Sequence, residues 1–139
     1  MTIKDYDDVC HRWEQTEGVG LAPGDERDGI DRFQKRNPGM SLVAEDRGTL
    51  IAGVLCGHNG RRGDIGHLAI AEPYRNNGLG KELVRRCLAM LTEEAIPICH
   101  IRVFGDNADG IQFWEHLGWE GRSDLLIMAC ETPKQSQAE

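Results

Sequence analysis

Residues 67–81 read HLAIAEPYRNNGLGK and join two kinds of hydrophobic periodicity. The apolar residues before Pro73 form a short run, as in a buried strand, whereas those after Gly78 recur at helical spacing. The N–H groups at a helix N-terminus lack intrahelical acceptors and carry partial positive charge, and Gly78 and Gly80 place no side chain over them. The segment therefore predicts a strand, a turn and a helix N-terminus that can hold a diphosphate.

Two well-known phosphate loops are excluded by the spacing of these glycines. A Walker A loop requires glycine five positions before Gly80, where the chain has Arg75. It also requires serine or threonine after Lys81, where the chain has Glu82. A Rossmann fingerprint requires a third glycine at the position of Leu83. The anion-binding segment therefore belongs to neither nucleotide-binding motif.

Periodicity along the rest of the chain predicts one mixed α+β domain over residues 1–131, followed by a polar tail over 132–139. The predicted helices cover 5–15, a weaker segment through Ile30 and Phe33 that ends at 37–39, 78–92 and 107–116. The predicted strands cover 41–45, 50–57, 65–70, 98–104 and 125–130. The first three strands follow one another through short turns and should be antiparallel. The helix over 78–92 should make the strands on either side of it a parallel pair.

The composition is acidic and limits the class of partner. The chain has 139 residues, with 16 lysines and arginines against 23 aspartates and glutamates, and a formal charge of −7. This balance disfavours a partner such as nucleic acid and favours a cationic or amine-bearing one. We expect no membrane partner and no secretion signal, because no long apolar run is present. Five cysteines without a C-x-x-C pair are typical of core residues in a reducing, cytoplasmic environment and predict no metal site.

Two motifs carry a resemblance to a known family. Residues 75–80, RNNGLG, match the R/Q-x-x-G-x-G/A signature of the GNAT superfamily of acetyl-CoA-dependent N-acetyltransferases. Residues 107–119 resemble the family's N-x-x-A-x-x-F-Y-x-x-x-G-F helix through Asn107, Phe113, Trp114, Gly118 and Trp119. The resemblance covers about residues 41–130. It implies a mixed, mostly antiparallel central sheet flanked by helices, with a splayed parallel strand pair and with the family's first strand missing or very short.

The resemblance implies a specific reaction. The chain is expected to transfer an acetyl group from acetyl-CoA, by direct attack, to a primary amine of a small molecule, a peptide N-terminus or a lysine. The alternative is a catalytically idle coenzyme A-binding or regulatory module. That alternative arises because Trp114 stands where the family usually has a tyrosine that returns a proton to the thiolate. An indole N–H has no useful acidity at neutral pH.

The implied cofactor contacts fall in three places. The backbone amides of residues 75–81, the phosphate cradle, hold the pyrophosphate, and the strand at 68–70 hydrogen-bonds the pantetheine arm. Asn107 contacts the same arm or only caps its helix, and Trp114 packs against pantetheine or the core. The residues concerned are Leu68, Ala69, Ile70, Arg75, Asn76, Asn77, Gly78, Leu79, Gly80, Lys81, Asn107 and Trp114.

Three residues beside the cradle are catalytic candidates. His67 and Asp64 are the candidate bases, with an ordered water as an equal alternative. Regular alternation along the strand places these two side chains on opposite faces. Tyr74 is the candidate proton donor, with packing in the turn as its alternative role. Water can take its place, because the thiolate of coenzyme A is only weakly basic.

The amine is expected near the first two helices and the loop over 17–25. Trp13, Glu14 and Glu17 combine an aromatic ring with negative charge, which suits an ammonium group through cation–π and Coulombic attraction. A solvated acidic face is the alternative. The chain begins almost directly at its first helix, where the family usually has a strand. The sheet edge left uncovered favours a homodimer whose partner covers it.

Overall fold

A four-stranded sheet forms the centre of the computed structural model, which describes residues 1–135. The strands are β1 (Leu42–Asp46), β2 (Thr49–His58), β3 (Gly63–Ile70) and β4 (Cys99–His100), in the spatial order β1-β2-β3-β4. The first three are antiparallel and β4 runs parallel to β3, as predicted from the turns and the helical crossover. Within the predicted tail, residues 132–135 have no regular secondary structure, and residues 136–139 lie outside the described part.

Within residues 1–135 the helices are α1 (Tyr6–Glu14), α2 (Arg27–Arg36), α3 (Leu79–Glu93) and α4 (Ala108–His116), with 3₁₀ turns at Ile3–Asp5 and Glu72–Tyr74. Side-chain caps open the first 3₁₀ turn, through Thr2, and α4, through Asn107. Thr2 opens the first turn, because its hydroxyl accepts the N–H of Lys4 at 3.3 Å while its own N–H is donated to Asp5 at 2.8 Å. These bounds agree with the predicted helices within a few residues.

Different helices cover the two faces of the sheet. On one face, the apolar stripe of α3 packs against alternate residues of β2. This core contains Met40, Ala52, Val54, Cys56, Ile65, Leu83, Val84, Cys87, Leu91 and Ile96. On the other face, α1 and α2 cover the sheet through a smaller cluster of Val9, Trp13, Ile30 and Ala69. The cradle helix and the helices expected to bind the amine therefore lie on opposite faces.

A β-bulge in β3 changes which side chains share a face. The register with β2 shifts at this point, and His67 has a φ of +50°. Ile65 packs in the α3 core, whereas Ala69, four residues further on, packs in the α1 cluster. The bulge has therefore reversed the alternation. Asp64, next to Ile65, points to the α1 face, where His67 also lies, so the expectation that the two candidate bases face opposite sides was wrong.

The predicted C-terminal strands are shorter or absent. β4 contains two residues instead of 98–104, because it diverges from β3 after the pair Asp64↔His100. Residues 125–130 form no strand, and Leu126 and Met128 are 89% and 90% exposed. An alternating apolar pattern forms a strand only where an adjacent strand supplies hydrogen-bond partners. Among residues 1–135, no strand lies beside residues 125–130. Cys130, expected in the core, is exposed for the same reason.

Candidate functional site

Gly78 opens the N-terminus of α3 to a ligand. Its φ of +80° is a left-handed conformation that glycine adopts without strain, and a Cβ built on it meets nothing within 4 Å. The first helical hydrogen bond runs from the N–H of Glu82 to the carbonyl of Gly78 at 3.0 Å. The N–H groups between these two residues therefore have no intrahelical acceptor. This free space and these free donors fit a diphosphate.

Gly80 serves the packing of the helix. It is buried, and a Cβ built on it would lie 3.0 Å from Ile70 Cδ1 and 3.1 Å from two ring atoms of Phe113. Such contacts are tighter than nearly all real ones, so a larger residue would push α3 away from β3 and α4. The two glycines of the motif therefore have different roles, because Gly78 leaves space for a ligand and Gly80 allows close approach of three elements.

Arg75 fastens the turn to β3. Its backbone N–H is donated to the carbonyl of Glu72 at 3.1 Å, and its side-chain Nε is donated to the carbonyl of Ile70 at 2.8 Å. The amide of Arg75, expected in the cradle, is therefore already used. Among the described residues, the amides from Asn76 to Lys81 have no acceptor. The cradle that the structure leaves open thus begins one residue later than the motif.

Glu82, the acidic side chain of the first turn of α3, is paired with arginines. Its carboxylate accepts Arg85 Nη2 at 2.6 Å and Arg86 Nε at 3.0 Å. The hydrogen bond from Arg85, followed by that from Arg86, lowers the pKa of Glu82 to about 2. Its negative charge is thus balanced locally, while Lys81 remains exposed beside the cradle. The helix N-terminus can therefore attract an anion even though the whole chain is acidic.

The parallel strands separate just before the cradle. β3 and β4 pair through Gly63↔Cys99 and Asp64↔His100, and the described residues contain no further pair between them. β3 continues to Ile70 with its other edge bonded to β2. The edge of residues 68–70 that faces away from β2 consequently has no neighbouring strand, although the carbonyl of Ile70 accepts Arg75 Nε at 2.8 Å. This edge has the backbone donors and acceptors that an extended, amide-containing arm could pair with.

Asn107 lies between α4 and the loop that joins α1 to α2. Its Oδ1 accepts the N–H of Gly110 at 3.0 Å, which caps α4. A Cβ built on Gly18 would lie 2.6 Å from Asn107 Nδ2, and one built on Gly20 would lie 2.8 Å from Phe104 Cζ. The loop over 17–25 therefore packs against the segment that leads into α4. Asn107 has the capping role, and its contact with pantetheine stays a prediction.

Trp114 belongs to a cluster of aromatic rings. Its ring centroid lies 5.1 Å from that of Phe113 and 4.9 Å from that of Trp119, both in edge-on geometry. All three rings pack against the α3 core and are partly buried. The tryptophan therefore packs against the α3 core, which is one of the two packing roles expected for it.

His67 is held by residues from two other elements. Its backbone carbonyl accepts the indole N–H of Trp13 at 2.9 Å, and its Nε2 lies 2.9 Å from Asp25 Oδ2. The side chains of His67 and Asp25 are 21% and 19% exposed. Sequence reasoning placed Asp25 in an acidic region but did not connect it with His67. The two residues are 42 positions apart, so no sequence signal could have paired them.

The other two catalytic candidates already have strong partners. Asp64 accepts Arg102 Nη1 with both carboxylate oxygens, at 3.1 and 3.0 Å, on an exposed part of the surface. The hydroxyl of Tyr74 is donated to Asp46 Oδ2 at 2.5 Å. This hydrogen bond, more than burial, raises the pKa of Tyr74 above its ordinary value. Either residue would have to give up its partner before it could exchange a proton with a substrate.

Of the three residues expected to bind the amine, the structure buries one and exposes the other two. Trp13 is fully buried, with its ring edge-on to the imidazole of His67 at 5.0 Å between centroids. It therefore offers no exposed face to an ammonium group, contrary to the expectation of a cation–π contact. Glu14 and Glu17 are exposed at the end of α1, and Glu14 Oε1 accepts the thiol of Cys10 at 3.6 Å. Negative charge is available on this side without the aromatic ring.

The structure thus has a parallel strand pair that splays in front of an open helix N-terminus, the arrangement that the two motifs predict. The profile of the acetyltransferase (GNAT) family matches residues 6–119. The chain belongs to this family. The match begins within α1 and ends just after α4, so it includes the sheet, the cradle and the second motif.

Relatives of similar length carry the same general name. Acetyltransferase SG1711 of Sodalis glossinidius is 28% identical over 124 residues, which are 89% of this chain and 87% of that protein. An acetyltransferase of Yersinia pestis (strain Pestoides F) is 29% identical over 123 residues, covering 88% and 86% of the two chains. These similarities support an acetyltransferase and leave the acceptor open.

Solved structures share the fold at low sequence identity. Ard1 from Thermoplasma volcanium has a TM-score of 0.73 at 18% identity and matches 85% of this chain and 78% of its own. The PaiA N-acetyltransferase from Thermoplasma acidophilum, solved in complex with coenzyme A, has a TM-score of 0.70 at 16% identity and matches 84% of each chain. At such identities the likeness establishes the mixed α+β architecture alone.

Residues 1–135 contain neither a helix suited to a membrane nor a cluster of metal ligands. None of the helices there has both the length and the apolar character that crossing a membrane requires. The same residues contain no group of three or more histidines, cysteines, aspartates or glutamates arranged to hold a metal ion.

Proposed function

We propose that the protein is an N-acetyltransferase that uses acetyl-CoA to acetylate a primary amine. The observation that carries this proposal is the open β3 edge that leads to the free N-terminus of α3 at Gly78. A helix N-terminus binds phosphate groups, and an unpaired strand edge binds an extended amide chain. Coenzyme A contains both groups in this order. Membership of the GNAT family supports the same conclusion.

The proposed cofactor contacts use backbone more than side chains. Acetyl-CoA supplies a thioester that an amine can attack. We assign its diphosphate to the amides of residues 76–81, with the side chains of Arg75 and Lys81 adding positive charge. We assign the pantetheine arm to residues 68–70, beside Asn107 and Trp114. The fit rests on the open space at Gly78, which a side chain at that position would fill.

His67 is the proposed proton acceptor. The bound ammonium group first loses one proton to water, because only the neutral amine has a lone pair. When the amine nitrogen then attacks the carbonyl carbon, a C–N bond forms, the C–S bond breaks, and the leaving sulfur keeps the bonding electrons. The nitrogen then carries a proton that a base must remove, which imidazole does well near neutral pH. Asp64 is the weaker candidate because Arg102 already holds its carboxylate. Water or Tyr74 returns a proton to the thiolate.

The proposed substrate is a cationic amine rather than a neutral or anionic molecule. Glu14 and Glu17 lie exposed on the same face of the sheet as His67 and give this side negative charge. A small molecule, a peptide N-terminus and a lysine side chain all have the required ammonium group. We propose that the reaction takes place in the cytoplasm, because all five cysteines are free thiols.

We further propose that the protein forms a homodimer. Leu125, Leu126, Ile127 and Met128 are 58–90% exposed, while β1 and β4 are sheet edges without a neighbouring strand among residues 1–135. Each copy thus has an exposed apolar segment and a sheet edge without a partner strand. In a dimer, the apolar segment of each copy can cover a sheet edge of the other. Light scattering should show a dimer that becomes a monomer in Leu126→Lys/Met128→Lys. A wild-type monomer at high protein concentration contradicts the dimer.

Calorimetric titration with coenzyme A and with acetyl-CoA tests the cofactor site. We expect saturable binding and thermal stabilisation, which should reach about 2.7 kcal/mol at a ligand concentration 100 times Kd. Neither heat nor stabilisation at millimolar ligand would contradict the proposal. Thiol release from acetyl-CoA with a panel of small amines, peptides and lysine derivatives then tests the reaction and identifies the acceptor.

The catalytically idle module remains the second candidate, since Trp114 occupies the position of the usual family tyrosine. It predicts coenzyme A binding without turnover of any amine in the same panel. Turnover of one amine well above the rate of acetyl-CoA hydrolysis excludes it. The two experiments together therefore separate an enzyme, a binding module and a protein that does not bind coenzyme A.

A further inference from the structure

His67 sits in a strained part of β3. A non-glycine residue with a φ of +50° inside a strand is uncommon, and it persists only where the surroundings hold it in place. The bulge that it forms turns its side chain towards α1, immediately before the free strand edge at residues 68–70. Strained bulges in sheets occur frequently beside functional sites, where they redirect one side chain.

Trp13 fixes the backbone of this bulge. The indole is fully buried, its N–H is donated to the His67 carbonyl at 2.9 Å, and its ring lies edge-on to the imidazole. The carbonyl, which the bulge removes from the regular ladder, thus has a hydrogen-bond donor from α1. This contact holds the main chain of His67 but leaves the imidazole nitrogens free for other partners.

Hydrogen bonds to Ala22 and Tyr6 hold Asp25 in place beside the imidazole. Its Oδ2 accepts the N–H of Ala22 at 2.9 Å, and its backbone carbonyl accepts the hydroxyl of Tyr6 at 2.8 Å. The loop also packs against the segment that leads into α4, through Gly18 and Gly20. The loop that carries the Asp25 carboxylate to His67 Nε2 is therefore held both by Tyr6 of α1 and by the segment before α4.

We infer that Asp25 is a positioning residue that orients His67 as the proton acceptor, an inference that rests on the proposed function. If Nε2–H is donated to the carboxylate, the neutral imidazole keeps its lone pair on Nδ1. The amine's proton then moves to Nδ1, and the carboxylate stabilises the positive imidazolium that forms. The proton leaves later to water or to the thiolate, so no other reactant is required.

The surroundings of the imidazole limit what else could control its protonation. The loop contributes Asp25, α1 contributes the indole of Trp13, and Tyr6 reaches only the backbone carbonyl of Asp25. On the neighbouring strand β2, Leu55 packs on the α1 face and does not titrate, whereas Val54 packs in the α3 core on the other face. Among the described contacts of His67, Asp25 is therefore the one charged group.

The test compares Asp25→Asn with two controls in the full chain. Asparagine keeps the size of the side chain but removes the charge, so we expect kcat to fall by about 10- to 100-fold. Asp25→Glu should recover part of kcat. Asp8→Asn, which removes the same charge from an exposed position in α1, should leave kcat unchanged.

Nitrogen-15 NMR of the imidazole provides a readout that a merely structural role would not change. At about pH 8.5, where an ordinary imidazole is neutral, we expect the wild-type His67 proton on Nε2 and a mixture of tautomers in Asp25→Asn. The signals are assigned by comparison with His67→Gln. A wild-type proton on Nδ1 overturns the inference even if Asp25→Asn fails to fold.

The outcomes separate the inference from the proposed function. If the wild type acetylates an amine but Asp25→Asn has the same kcat and the same tautomer, only the role of Asp25 is contradicted. If the wild type binds acetyl-CoA and acetylates no amine, the proposed function fails and the catalytic role of Asp25 fails with it. A loss of kcat in Asp25→Asn, with partial recovery in Asp25→Glu and a mixture of tautomers in Asp25→Asn, supports both.

Discussion

The two sides of the proposed site are built in different ways. On the cofactor side, a contiguous segment provides free backbone N–H groups, and its important property is the space over Gly78. On the amine side, the arrangement needs side chains from three distant segments, namely Trp13, Asp25 and His67. Cofactor binding by backbone groups should therefore be lost only when a new side chain occupies the space over them. Catalysis by a set of side chains should decrease when any one of their hydrogen bonds is removed.

Filling the cradle should have the largest effect. We expect Gly78→Glu to weaken coenzyme A binding by at least about 100-fold, because its side chain occupies the phosphate space and its charge repels the diphosphate. Calorimetry measures the change directly. Gly80→Glu is less informative, since the contacts of Gly80 with Ile70 and Phe113 would disturb folding as well as binding.

Gly60→Glu is the matched control for this change. Gly60 has a φ of +93° and open space around it, as Gly78 does, but it lies in the turn between β2 and β3. Both variants add the same charge and the same backbone strain of about 1 kcal/mol. Equal coenzyme A affinities for the two variants would show that the phosphate site lies elsewhere.

The contrast between the two sides also explains what could be predicted from the sequence. The cradle was predictable because strand, turn and glycines are consecutive, and their spacing alone carries the signal. The helices and the antiparallel hairpins were predictable for the same reason. Gly78 and Gly80 look equivalent in the sequence, however, and only the positions of Ile70 and Phe113 show that one of them is a packing residue.

The amine side could not be predicted in this way. A bulge at His67 has no sequence signature here, and the regular alternation that we assumed placed Asp64 on the wrong face. Trp13 was assigned to substrate recognition by its residue type, but its burial depends on how α1 docks onto the sheet. The strand expected at 125–130 depends on a partner that local pattern cannot supply. Each of these failures concerns a contact between residues far apart in the chain.

Loss of one hydrogen bond on the amine side should have the second largest effect. We expect Trp13→Phe to keep most of the packing but to leave the His67 carbonyl without its donor, which lowers stability by about 1–3 kcal/mol. The bulge should then be less well held, and kcat should fall by about tenfold. Chemical denaturation and steady-state kinetics measure the two effects.

Trp119→Phe is the control for this change, because it makes the same substitution in the aromatic cluster beside α3. It should lose some stability without a comparable loss of kcat. If Trp13→Phe and Trp119→Phe have the same kcat as the wild type, the bulge does not depend on the indole, and the amine side is more tolerant than we infer.

Trp114 permits a smaller test of the cofactor side. Trp114→Tyr restores a hydroxyl at the position where the family usually has one, so we expect kcat to rise by roughly threefold to tenfold if return of the proton is slow. Trp114→Phe lacks the hydroxyl and should show no rise. The comparison of these two variants isolates the phenol from the change in packing against Phe113 and Trp119. A rise in both variants would attribute the gain to packing.

Tyr74→Phe should have the smallest effect on catalysis, with kcat changed by less than about twofold. The phenol proton is already donated to Asp46, and this hydrogen bond raises the pKa of Tyr74, so the hydroxyl is a weaker acid than a free tyrosine. A kcat that falls by tenfold or more in Tyr74→Phe would instead make Tyr74 the proton donor.

The same hydrogen bond gives a pH dependence of stability that has a definite sign. Because the raised pKa of Tyr74 favours the protonated form in the folded state, its stabilising contribution is complete below the pKa of an unfolded tyrosine, about 10, and is lost as the pH rises through the folded value. The wild type should therefore melt at a higher temperature than Tyr74→Phe at neutral pH, and the difference should shrink above about pH 10. A difference in melting temperature that stays constant up to pH values at which the phenol ionises would show that Tyr74 stabilises the turn by packing. Its hydroxyl would then be free for the proton transfer that the hydrogen bond to Asp46 otherwise prevents.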